Sequence, residues 1–145
     1  MALDQDIRLA TDLRTVVTRL VKKLRKESVT GQQLSLTERS TMALLHQYQS
    51  LLPSELASME KITNQSMSQV LNYLHGLGYI TRTASDTDKR KVLISLTELG
   101  EQMILQMRSE RDKWLVNAIA ETCNEEEVLL LKQVIGPLTK LVDFE

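Results

Sequence analysis

One cysteine, Cys123, stands in the whole chain, so no internal disulfide can form. No charged stretch followed by an apolar run opens the sequence as a secretory signal would, and a reducing cytoplasm is the expected home. Aromatic residues supply only 3% of the chain, which leaves Leu, Val, Ile and Met to fill a core. Long apolar runs are missing as well: the longest, such as Val128 to Leu131, fall far short of the roughly 20 residues a membrane span requires. His46 and His75 lie far apart with no Cys or second His at a ligand spacing, so neither a metal site nor a cofactor is expected. A nucleophile motif, a phosphate-cradling glycine loop and a His-carboxylate pattern are all lacking, which excludes an enzyme on any motif the sequence offers.

Excess charge of either sign is also absent, the formal net charge being -1. A balanced total argues against indiscriminate coating of nucleic acid, yet it can hide a basic face opposite an acidic one. Cations gather in Arg14 to Lys26 and Arg82 to Lys91, and acids gather from Glu98 to Glu127 and at the C-terminus.

What is present is helical periodicity on the scale of one domain. The length of 145 residues suffices to bury a core. Leu3, Ile7, Ala10, Leu13, Val17, Leu20, Val21 and Leu24 recur at three and four, predicting a helix over about Leu3 to Glu27. Ser28 to Ser35 reads as a loop. Thr37 is the expected cap of a second helix ending near Tyr48, and Pro53 opens a short third one to Glu60. Thr63 caps a fourth helix with Met67, Val70, Leu71, Leu74 and Leu77 inward and Gly78 at its end.

Two β-prone segments follow, Tyr79 to Thr83 and Val92 to Leu96, joined by a charged loop from Ser85 to Lys91. Thr97 starts a fifth helix to about Glu121, with Leu99, Met103, Met107, Trp114, Ala118 and Ile119 on one stripe. Asn124 caps a sixth, which Gly136-Pro137 is expected to kink or interrupt. This order predicts a mainly α (α+β) fold, a winged helix-turn-helix between long terminal helices. The chain is read as a single unit, 1–145, with a DNA-binding lobe at 36–97.

The second member of a helix-turn-helix lies in a major groove with its N-terminal side chains at base edges. Helical geometry turns Gln65, Ser66, Gln69, Asn72 and Tyr73 outward. Glutamine amides can pair with N6 and N7 of adenine, so Gln65 and Gln69 are predicted base readers worth ~1 to 3 kcal/mol each, with Ser66 a less selective third. No Lys or Arg occurs from Ile62 to Thr81, so phosphate neutralisation must come from Arg39, Lys61, Arg82, Lys89, Arg90 and Lys91. Asp88 among those cations is expected to orient Arg90 through a charge-assisted hydrogen bond.

Leu36-Thr37, Ser54-Glu55-Leu56-Ala57, Leu74 to Ile80, Asp88-Lys89-Arg90 and Leu96-Thr97-Glu98-Leu99-Gly100 follow one another in an order and spacing that resembles the MarR family of bacterial transcription regulators. The resemblance covers nearly the whole chain. It implies a repressor, less often an activator, working as a homodimer held by 1–27 and 98–145, with one winged helix per subunit on half of a palindromic operator. It also implies that Arg90 is the wing-tip arginine of the minor groove and Asp88 its orienting acid, and that Gln65, Ser66 and Gln69 meet bases. Many relatives bind small aromatic anions between the dimer helices and the DNA lobe. Arg14, Arg19 and His46 are loose candidates for such a ligand-binding site, and the effector itself is unknown.

Blander readings stand beside these. A neutral polar helix face can touch protein, which makes the winged helix an interaction module. Cys123 can be a redox-sensing thiol, although Glu121, Glu125 and Glu126 nearby disfavour a thiolate and an inert, small hydrophobic role is preferred. The apolar excess from Val128 to Val142 predicts a dimer interface, against packing on the first helix of the same chain.

Overall fold

In the computed structural model, which describes all 145 residues, the opening apolar period becomes α1 (Ala2–Glu27), a helix in which no residue is buried within the subunit. The loop after it ends at Ser35, which caps α2 (Leu36–Tyr48): its hydroxyl accepts from the Glu38 amide at 3.1 Å while the Glu38 carboxylate accepts from the Ser35 amide at 2.9 Å. That reciprocal box satisfies amides which a helix start otherwise leaves without partners. The expected cap at Thr37 is therefore corrected to Ser35. A glutamate three residues on is what closes a box, and Ser35 has one where Thr37 has Ser40.

A two-residue strand, β1 (Ser50–Leu51), leads into α3 (Pro53–Glu60), whose proline occupies the first turn where no amide bond is lost. β1 is too short to show an alternation and no sequence signal announces it. Lys61 ends α3 in a left-handed conformation, and Thr63 caps α4 (Asn64–Gly76) by accepting from the Ser66 amide at 3.0 Å. Gly78, at φ 80°, follows α4 as the left-handed residue that lets the chain turn into the sheet.

β2 (Ile80–Ala84) and β3 (Val92–Leu96) form an antiparallel hairpin with Arg82 opposite Ile94, and β1 lies on the other edge of β3 to give the order β1-β3-β2. The chain then enters α5 (Glu98–Thr122), capped by Thr97, and α6 (Glu125–Val142), capped by Asn124 in a box with Glu127. α6 runs through Pro137 without the expected break. The proline ring removes one amide bond, and the carbonyl this frees, that of Gln133, lies on an exposed helix where water can take it.

One cluster of 14 buried apolar residues forms the core, drawing Met42 from α2, Leu56 from α3, Met67 and Leu74 from α4, Ile94 from β3 and Met107 from α5. Each such side chain contributes about 1.5–3 kcal/mol by leaving water. On α5 the buried face is Gly100, Ile104 and Met107, whereas Leu99, expected inward, is 46% exposed. The close approach of Gly100 to Tyr79 sets that rotation. Neither terminal helix adds a buried residue to the core.

Candidate nucleic-acid interface

α3, the Lys61-Ile62 turn and α4 make a helix-turn-helix, and burial of Met67, Leu71 and Leu74 fixes which side of α4 faces out. Gln65, Ser66 and Gln69 are all exposed on that side. The Ser66 hydroxyl accepts from the Thr63 hydroxyl at 3.0 Å, so its oxygen already serves the helix cap, while its own proton stays free to donate. Further along, the Asn72 side-chain oxygen accepts from Arg82 Nη2 at 2.7 Å, and the Tyr73 hydroxyl donates to the Gln33 carbonyl at 3.1 Å. Arg82 thus braces the middle of α4 from the neighbouring strand.

The loop between β2 and β3 is a closed turn. The Ser85 amide donates to Lys91 O and the Lys91 amide to Asp88 O, both at 2.9 Å. Asp88 Oδ1 accepts from the Arg90 amide at 3.1 Å and from Arg90 Nε at 3.2 Å, while the Arg90 side chain remains 91% exposed. The expected orienting contact is present. It costs Arg90 little of its reach, because a guanidinium with five donors keeps most of them free. Lys89 and Lys91 flank it in solvent, and Lys61 is exposed at the turn between α3 and α4.

Arg39 does not belong with these cations. Its side chain turns inward from α2, only 9% exposed, donating to the Arg25 carbonyl at 3.3 Å and to the Gly31 carbonyl, with Nε buried and unpartnered. The expectation of a backbone contact from Arg39 is therefore corrected. Desolvation, followed by the nearby Arg25 and Arg111 charges, lowers its pKa from the usual arginine value.

Arg39 instead lines a cavity of about 400 Å³ between α1, α2 and α5, together with Arg25, Arg108 and Arg111, over an apolar floor that includes Ile104 and Met107. No carboxylate lines it. Sequence reasoning missed this cluster because its arginines come from three separate helices. The loose ligand candidates lie elsewhere: Arg14 and Arg19 are exposed on α1, and His46 Nδ1 lies 2.6 Å from Glu101 Oε2, tying α2 to α5. Cys123 is half-buried at the α5–α6 junction, with Thr122 Oγ1 3.7 Å from its sulfur.

A helix-turn-helix whose second helix presents a neutral polar face, beside a basic hairpin with a braced arginine at its tip, defines a winged-helix DNA-binding protein. Comparison with known sequences and structures agrees. The MarR family profile matches residues 34–92. An HTH-type transcriptional regulator of Mycobacterium bovis is 33% identical over 141 residues, spanning 97% of both chains. A transcriptional regulator from Pseudomonas aeruginosa superposes with a TM-score of 0.82 at 32% identity, covering 97% of this chain and 99% of its own. A variant of MepR from S. aureus bound to an oligodeoxyribonucleotide shares the fold at a TM-score of 0.69 and 19% identity, covering 93% of this chain and 98% of that one. The chain belongs to the MarR family of winged-helix, DNA-binding transcription regulators, and it is not an enzyme.

Proposed function

We propose that this protein is a homodimeric repressor that binds a pseudo-palindromic operator through its 36–97 lobes, reads bases with Gln65, Ser66 and Gln69, and holds phosphate and minor groove with Lys61, Arg82, Lys89, Arg90 and Lys91. The observation that carries this reading is the pairing of a cation-free, exposed face on α4 with an Arg90 braced by Asp88 and left almost wholly in solvent. Sequence information resides in base contacts and affinity mainly in phosphate contacts, and here the two fall on different elements. Dimerisation through 1–27 and 98–145 is supported by apolar side chains that the single subunit leaves in water, among them Leu130 and Ile135, each 62% exposed. The DNA complex of the MepR variant lends support to the docking mode. A small anion is the effector that suits the four-arginine cavity: an unbalanced cluster of cations above an apolar floor favours an aromatic or other apolar carboxylate.

Two substitutions test the division of labour on promoter DNA from the protein's own gene. Arg90→Ala is expected to weaken operator and scrambled DNA alike and to flatten the dependence of affinity on salt by about one counterion. Gln69→Ala is expected to leave scrambled DNA unchanged while costing ~1 to 3 kcal/mol on the operator. Equal operator and scrambled affinities in the unaltered protein, or a Gln69→Ala variant indistinguishable from it on both, would overturn the assignment.

A further inference from the structure

α4 carries one more polar side chain on the line that Gln65 and Gln69 begin. Gln65, Gln69, Asn72 and Gly76 stand at i, i+4, i+7 and i+11, the spacing of a single helix face, and all four are exposed. Beyond Asn72 that face is bare: a Cβ built at Gly76 would meet nothing within 4 Å, so its far end lies open. Asn72 also has a fixed partner, for Arg82 Nη2 on β2 donates to Asn72 Oδ1 at 2.7 Å. A guanidinium has donors only, so this bond leaves no choice of amide orientation. The oxygen faces Arg82, and the amino group is the end turned to an outside partner.

We propose that Asn72 is a further specificity-determining residue, held by Arg82 as a donor-only reader, and that it selects a guanine in each half-site. The inference rests on α4 being the helix that reads DNA, and it adds which base the third turn takes and why. In the major groove guanine presents two neighbouring acceptors, N7 and O6, which the two amino hydrogens can serve. Adenine sets its N6 donor beside N7, cytosine offers the N4 donor, and thymine has the single acceptor O4 beside a methyl group. An untethered amide can turn either end outward and so give its oxygen and amino group together to adenine. For Asn72 that turn would break the bond to Arg82 and set an amino group against the guanidinium, and bonds from a charged donor are the strong ones. Arg82 is thus a positioning residue: it acts on sequence through Asn72, while its remaining donors stay available to a phosphate.

Selection of bound duplexes from a random pool, followed by sequencing, gives the base preference at every position of the site for the unaltered protein, Asn72→Ala, Asn72→Asp and Arg82→Met. Asn72 and Arg82 are both exposed, so these changes leave the core intact. The unaltered protein is expected to favour guanine about tenfold at one position of each half-site, the scale of one well-placed base contact. Asn72→Ala should flatten that position and no other. Asn72→Asp keeps the tie, since a carboxylate oxygen also accepts from Arg82, but it turns an acceptor outward. The same position should then change from guanine to cytosine, whose N4 donates. Arg82→Met should lower affinity for every sequence through its lost phosphate contact, and at that one position it should admit adenine on a par with guanine, because the freed amide can turn over. Preferences in Asn72→Ala identical to those of the unaltered protein, or a guanine retained by Asn72→Asp, would sink the assignment of Asn72. A guanine preference untouched by Arg82→Met would refute the lock. Where Gln69→Ala still alters preference at another position, α4 stands as the reader and Asn72 alone is excluded. No enrichment of any base by the unaltered protein would remove both readings together.

Discussion

Gly100 has no room for a side chain. A Cβ there would stand 2.1 Å from the Tyr79 carbonyl oxygen, which already accepts the Thr97 amide at 3.0 Å, while the Thr97 hydroxyl donates to Gly78 O at 2.6 Å. The obstructing atom is backbone at the foot of the hairpin, so it cannot swing aside as a side chain would. Gly100→Ala is expected to cost roughly 1–3 kcal/mol of stability by overpacking, read as a lower denaturant midpoint with an unchanged slope. A midpoint equal to that of the unaltered chain would show that the two backbones can part freely. The Thr97-x-x-Gly100 spacing was visible as a pattern in the sequence, but its cause is a contact across 21 residues that no local signal carries. Arg39 is the opposite case. Its place three residues before Met42 puts it at the edge of the buried stripe of α2, so periodicity pointed to the answer and its charge misdirected the assignment.

Elements with strong periods or strong caps were legible in advance. α3 and α4 begin at Pro53 and after Thr63 as their first-turn and capping chemistry dictates, and the hairpin strands fall within a residue of the β-prone runs. Where the sequence misled, a local rule met a wider context: α6 absorbs Pro137, and β1 exists only because β3 offers it an edge. The α1–α2 loop is likewise defined by its partners, above all Glu110. Burial alone would raise the Glu110 pKa, but hydrogen bonds from the Thr30 hydroxyl and amide, then from Gln106 and Val29, outweigh it and hold the carboxyl below its ordinary value. A depressed folded pKa stabilises the ionised native state. That contribution is complete above the ordinary glutamate pKa of ~4.3 and disappears as pH falls through the lower folded value. Glu110→Gln should therefore melt below the unaltered protein at neutral pH, with the gap closing on acidification. A gap independent of pH would assign the contact's worth to packing and not to charge.

At the scale of the whole molecule, the terminal helices and the apolar excess of the last one were readable, but how little either packs within its own subunit was not. Neither α1 nor α6 buries a residue in its own subunit, so packing of the C-terminal excess on the first helix is not what the chain does. No helix is long and apolar enough to cross a membrane. The four-arginine cavity was illegible for a related reason, since Arg25, Arg39, Arg108 and Arg111 are neighbours only after α1, α2 and α5 have packed. If α6 is half of an interface between two copies, Leu130→Lys together with Ile135→Lys should convert the dimer to a monomer by light scattering. Operator affinity should then fall about a hundredfold or more, as the second half-site ceases to be held by the first. A parent chain that scatters as a stable monomer at micromolar concentration would remove the interface.

The absence of any cation on α4 also bears on how such a protein would search a chromosome. Binding to arbitrary sequence is almost wholly electrostatic. With a net charge of -1 and the free cations of its DNA-binding lobe confined to the wing and the turn before α4, the protein has a shallow grip on DNA that lacks its site. Visits to wrong sequences should be brief, leaving fewer molecules sequestered across the genome. A modest cellular supply could then keep an operator occupied.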